Sequence, residues 1–188
     1  LAGSSGACTC HTYAASREVA AMTDIEQEYI RFRPHPMDVV EQLVVDQEWP
    51  FDRQGQDDLT VGVGGQFSEY QLWFSWRHEI DALQFCCCFD MKVPAHKSRE
   101  VHGLLVMINE KVTVGHFDIW PGEGVILFRH SLLLRGTPGA TAEQIQDLVE
   151  IGLNESERFY PSFQYVVWGG KSPEESVAAA MLEPMGEA

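Results

Sequence analysis

Positive charge is what this chain has least of. Its 188 residues carry 13 Lys and Arg against 28 Asp and Glu, a formal charge of -15. The densest cationic spot is Lys97-Ser98-Arg99, so no basic patch offsets repulsion from a phosphate backbone or an anionic lipid surface. Nucleic-acid and membrane partners are set aside on that ground. Long apolar runs are also missing: none approaches the roughly 18 uncharged residues of a membrane-spanning helix. The first residues lack the basic start and apolar stretch of an export signal. Without one, the five cysteines are expected to be reduced thiols of a cytoplasmic protein.

Motifs of known chemistry are imitated but never completed. Gly170-Lys171-Ser172 copies the end of a phosphate-binding loop, yet that loop needs Gly where Tyr165 stands and a strand where a helix is predicted. Gly62-Val63-Gly64-Gly65 fails as a dinucleotide fingerprint, because position 67 is Phe and no helix follows. Neither HExxH nor EF-hand spacing occurs, and no cofactor or metal is expected. Cys86, Cys87 and Cys88 are consecutive on a predicted strand, where neighbours point to opposite faces and cannot converge on one ion. Small hydrophobes in a buried strand are the simpler reading. Cys8-Thr9-Cys10-His11 could bind metal opportunistically but lies in a segment expected to be a leader. His116 and Asp118 share a strand face, where a hydrogen bond between them is allowed. With Cys88 or Cys86 they sketch a thiol nucleophile, but no oxyanion-hole loop precedes either cysteine. His130, between Phe128 and Leu132 on alternate positions, reads as a satisfied core or interface histidine.

What is present is the pattern of one α+β domain. Apolar residues make up 45% and charged residues 22%, near the globular average. Residues 1–33 are expected to be a disordered leader and lead-in, with Met22 a natural start, residues 34–183 one domain, and residues 184–188 a tail. A first helix is predicted over 37–49 on Val39, Val40, Leu43 and Val44, ended by Pro50. A hairpin follows over 51–63. Two longer strands alternate Tyr70, Leu72, Phe74, Trp76 and Leu83, Phe85, Cys87, Phe89. Pro94 is predicted to open a second helix with Val101, Leu104, Leu105, Ile108 and Val112 as its buried stripe. Another hairpin spans 114–134 around Pro121-Gly122-Glu123-Gly124. Thr141 with Gln144 caps a third helix carrying Ile145, Leu148, Val149 and Gly152, which Pro161 is expected to kink or restart. Ser172-Pro173-Glu174-Glu175 caps a short last helix through Met181. Hairpins dominate, so the sheet should be antiparallel with helices packed mainly on one face.

One feature resists a purely structural reading. With Tyr70, Leu72, Phe74 and Trp76 inward, Trp73 points the other way, where Cys86, Cys88 and Trp120 can join it. A sheet with apolar side chains on both faces needs cover on both. The chain's own final helices or tail, a second copy, or another protein could supply it. These four residues are the candidate protein interface.

The segments MDVVEQLVVDQEWPF (37–51), FDMKVP (89–94), GHFDIW (115–120), FRHSLLL (128–134) and YPSFQYVVWGGKS (160–172) resemble the YbjN domain family over about residues 36–183. The resemblance implies a bacterial cytoplasmic sensory transduction regulator with a fold similar to type III secretion chaperones. It further implies a frequent homodimer, protein binding and no known active site. The leading expectation is a non-enzymatic regulatory or chaperone-like module with a protein partner. The alternatives are an enzyme using Cys88 or Cys86 with His116, and a small-molecule sensor in which His130 or Trp168 reads a ligand.

Overall fold

The computed structural model describes residues 34–182; the expectations for residues 1–33, Cys8, Cys10 and His11 among them, and for the tail lie outside that range. Helix α1 (Pro36–Asp46) opens with Pro at the first turn, and its N-cap His35 accepts from the Met37 N–H through Nδ1 at 3.3 Å. Met37, Val40 and Val44 bury one side of it. The helix stops at Asp46, short of the predicted Trp49. The Trp49 N–H reaches back to Val44 O and the Glu48 N–H to Val45 O, and Glu48 takes φ 56°. This is the reversal that usually recruits glycine, here built on a glutamate.

Strands β1 (Phe51–Gln54), β2 (Asp58–Gly64), β3 (Glu69–Arg77), β4 (Ala82–Lys92), β5 (His116–Ile119) and β6 (Val125–Leu133) form one antiparallel sheet in the order β1-β2-β3-β4-β6-β5. The fold class is α+β, as the hairpin pattern predicted. Between β4 and β5 the chain makes a 3₁₀ turn, Ala95–Lys97, and then helix α2 (Ser98–Asn109). Pro94 therefore precedes the helical turns rather than occupying their first position, because its extended backbone (ψ 147°) caps the 3₁₀ turn. Val112 falls beyond the helix, partly buried against the core. The Asn109 side chain donates to Phe117 O at 3.0 Å and accepts from the Phe117 N–H at 2.7 Å. It thereby occupies backbone groups of edge strand β5 that would otherwise face outward.

Helix α3 (Ala142–Val167) starts at the predicted capping box, with both reciprocal Thr141–Gln144 bonds formed. It runs unbroken through Pro161, so the chain does not restart there. Proline removes one backbone bond at a cost of about 3 kcal/mol. Phe159, Tyr160, Phe163 and Val166 bury the helix on both sides of it, and that tertiary packing outweighs the local defect. Helix α4 (Pro173–Leu182) is capped by reciprocal Ser172–Glu175 bonds, and Val177 enters the core.

All four α-helices of the described residues contribute to a single core on one face of the sheet, with Leu59, Val61, Leu72, Phe74, Phe85, Phe89 and Phe128 from the strands. Helix α3 crosses that face at Gly152. A Cβ there would overlap the Phe85 ring and come 3.4 Å from Phe128 Cδ1. Gly103 on α2 differs: it is exposed, and a Cβ would make an ordinary 3.6 Å contact with Pro173.

Two alanine substitutions should therefore move stability in opposite directions. Gly152→Ala should cost about 1–3 kcal/mol by overpacking. Gly103→Ala should add about 0.5–1 kcal/mol by restricting the unfolded chain. Urea denaturation of the two variants checks both signs.

Candidate protein-binding face

Strand alternation sends a second set of side chains to the face opposite the core. Two rows of direct cross-strand partners can be followed over it. One runs Asp52, Thr60, Trp73, Cys86, Arg129, His116 from β1 to β5. The other runs Gly62, Gln71, Cys88, Leu127, Asp118 from β2 to β5. Trp120, just past β5, brings its ring to 5.0 Å from that of Trp73, tilted by 38°. The turn that carries it uses positive φ at Gly122 and Gly124, and the Trp120 N–H closes onto Val125 O at 2.8 Å. The structure thus brings together all four residues predicted as an interface, each half-buried. Leu127, buried yet outside the main core, belongs with them and was not singled out from sequence. Its place on this face follows from the same parity, since Ile126 and Phe128 point into the core.

The face is not flat. A depression of about 270 Å³ is lined by Gln54, Thr60, Gln71, Trp73, Cys88, Trp120, Glu123 and Val125. Neighbouring depressions of about 250 and 320 Å³ share Gln71 with it. Gly62 and Gly64 leave part of β2 without side chains on this side, which widens the trough. Trp73 Nε1 is buried and has no hydrogen-bond acceptor among the described residues.

The thiols here are poor nucleophiles. Burial raises the Cys86 thiol against the pull of Arg129, with Asp118 adding to the rise. Burial, then Cys86 and Glu123, push Cys88 up to about 12. Cys87, on the core side, is pushed up to about 12 by burial although the Ser156 hydroxyl donates to its sulfur at 3.3 Å. Arg129 stands between Cys86 and His116, two strands apart and so roughly 10 Å from backbone to backbone. Asp118 pairs with Arg129 at 3.2 Å and accepts from the Ile119 N–H, so the His116–Asp118 bond allowed by sequence is not among the bonds it makes. His130 is half-buried on the core side, and burial followed by His116 lowers its pKa. Trp168 is 61% exposed at the end of α3, and neither it nor His130 lines the three depressions.

A second cluster escaped the sequence reading. His35, Asp57 and His78 come from the start of α1, the β1–β2 turn and the β3–β4 turn, with possible ligand atoms within 4.8 Å of one another. The hydrogen bonds decide its chemistry. The Met37 N–H donates to His35 Nδ1, and the Trp76 indole donates to His78 Nδ1 at 3.0 Å. In each neutral ring the proton is then on Nε2, which faces Asp57 Oδ1 at 3.7 Å for His35 and 2.9 Å for His78. A metal would need Nε2 lone pairs and Nδ1 protons, the reverse of this arrangement. The cluster is a clip in which Asp57 hydrogen-bonds His78 between two hairpin turns and lies 3.7 Å from His35 at the helix start. No local spacing could reveal it, because its members meet only through the sheet.

Raised thiol pKa values carry two consequences. Alkylation of Cys88 in the folded protein at pH 7.5 should run about 10²–10³ times slower than in the denatured chain, and rise about tenfold per pH unit. The same groups set an alkaline limit. Cys86, Cys87, Cys88 and Tyr70 all hold their protons more tightly when folded, Tyr70 through burial and then the charge of Glu157. Above the unfolded thiol value of 9.0 the unfolded chain loses protons that the fold retains, so stability falls as pH rises. Urea midpoints should drop from pH 8 to pH 10, less steeply in Cys88→Val.

Comparison with known proteins places this geometry. A search of curated proteins returned no match. The crystal structure of YbjN from E. coli is similar with a TM-score of 0.48 and 14% identity, over 64% of this chain and 85% of that one. The model of the YbjN family, described as "Putative bacterial sensory transduction regulator", matches residues 36–165, from the start of α1 to the last turn of α3. The chain belongs to the YbjN family.

Proposed function

We propose that this protein is a non-enzymatic regulatory or chaperone-like module of the bacterial cytoplasm that captures a segment of another protein on the open face of its sheet. The observation that carries the reading is the Trp73–Trp120 pair, set in a trough on the side away from every helix of the core. Aromatic anchors in a partly desolvated depression with a polar surround are the usual makings of a binding hot spot. The family description supports a regulatory role, and the three cysteines among the described residues, all free thiols, suit a reducing compartment. Among the described residues, no helix is long and apolar enough to cross a membrane. Thiol catalysis is disfavoured by the raised pKa of Cys86 and Cys88 and by Arg129 lying between Cys86 and His116.

Affinity capture from bacterial lysate tests the proposal. Trp73→Ala and Trp120→Ala should each weaken a stoichiometric partner by about 30-fold, the effect of losing roughly 2 kcal/mol at a hot spot. Val106→Ala, at an exposed position of α2 on the helical side, should change nothing. Retention of the partner by both tryptophan variants would sink the open-face reading. Light scattering of the same samples reports separately whether a twin occupies the face.

A further inference from the structure

The trough has a chemical preference that can be read from its lining. Its walls are two indoles, its acceptors are Gln54, Gln71 and Thr60, and its one ionised group is Glu123. Among the described residues, no Lys, Arg or His lines it. From these we infer that the Trp73–Trp120 depression seats an arginine side chain of a partner peptide. The inference rests on the open face being the binding surface and names what that surface recognises.

Size, charge and hydrogen bonding converge on this occupant. At about 270 Å³ the space is below the roughly 300–1,000 Å³ of ordinary small-molecule pockets, and suits one long side chain. An anion would meet Glu123 and find no cation to pair with. An apolar side chain would strand the amides and the carboxylate without water or partners, at an energetic penalty. A guanidinium is planar and weakly hydrated, so it lies against indole faces at little desolvation cost. Its five N–H donors match a carboxylate and neutral oxygens together. Glu123 is near enough to the floor of the depression for its charge to raise the Cys88 thiol. Lysine carries the same charge as a compact, strongly hydrated point and fits the paired indoles less well.

The full chain offers an internal control, because its five tryptophans give five indole N–H signals in a ¹H–¹⁵N spectrum. Single Trp→Phe variants assign them. N-acetyl-arginine-methylamide is titrated in at low salt, alongside its citrulline and lysine counterparts. Arginine should shift Trp73 and Trp120 saturably and leave Trp49, Trp76 and Trp168 in place. Citrulline, equal in shape but uncharged, should bind at least about five-fold more weakly, the effect of losing one cation–π or ion-pair contact. Glu123→Gln should shrink the difference between arginine and citrulline. Equal binding of citrulline, or tighter binding of lysine, overturns the arginine assignment and leaves the open-face reading standing. So does the absence of any shift at Trp73 and Trp120 while Trp120→Ala still abolishes partner capture. Partner capture that survives loss of both tryptophans overturns the underlying reading itself.

Discussion

Helix α3 can lie against the middle of the sheet because residue 152 has no side chain. At Gly152 the helix backbone sits on the Phe85 and Phe128 rings of β4 and β6. One turn further, the Ser156 hydroxyl reaches the Cys87 sulfur. Beyond that, Phe159 and Phe163 meet Phe117, and Phe163 meets Phe89. Helix α1 packs beside it on β2 and β3, and α2 on β5. The close approach determines which face becomes the core. It also leaves the strands to finish the other face with their own side chains.

That second face must stay hydrated while carrying two indoles. Its rows answer the problem by alternation: Thr60, Trp73, Cys86 and Arg129 follow one another across the sheet, as do Gln71, Cys88, Leu127 and Asp118. Each apolar residue has a polar neighbour within one strand spacing, and the Arg129–Asp118 pair borders the patch. A continuous apolar face of this width would promote aggregation. The mixed one confines the sticky area to the Trp73–Trp120 trough.

Much of this was legible because it depends on local rules. Period-two alternation put Phe85, Cys87 and Phe89 on one side and Cys86 and Cys88 on the other, and both capping boxes formed with reciprocal bonds. The same parity placed Trp73 and Trp120 together. The failures came where tertiary contact overrides local signals. Pro161 reads as a break, but the aromatic residues around it hold the helix continuous. Glu48 hides a helix end, since the left-handed turn it makes is ordinarily written with glycine. The clip of His35, Asp57 and His78 has no signature at all, because α1 and two hairpin turns must first arrive at one end of the sheet.

The indole N–H of Trp73, buried and without an acceptor among the described residues, is a local cost to stability on the face that carries the trough. A buried donor without an acceptor costs about 1–3 kcal/mol. Phenylalanine at that position would keep an aromatic contact with Trp120 and remove the unpaired group. The polar lining argues the same way, for Gln54, Gln71 and Glu123 stand around a space that they do not fill by bonding to one another. Helix caps, the Asn109 plug on β5 and the clip at Asp57 show the fold satisfying its polar groups elsewhere. Buried atoms without a partner also occur on the helical side, at Tyr70 Oη and Glu157 Oε2, so what sets the trough apart is two aromatic rings and a carboxylate converging at a surface depression. Sites that sacrifice stability in this way are where a fold is expected to meet its ligand.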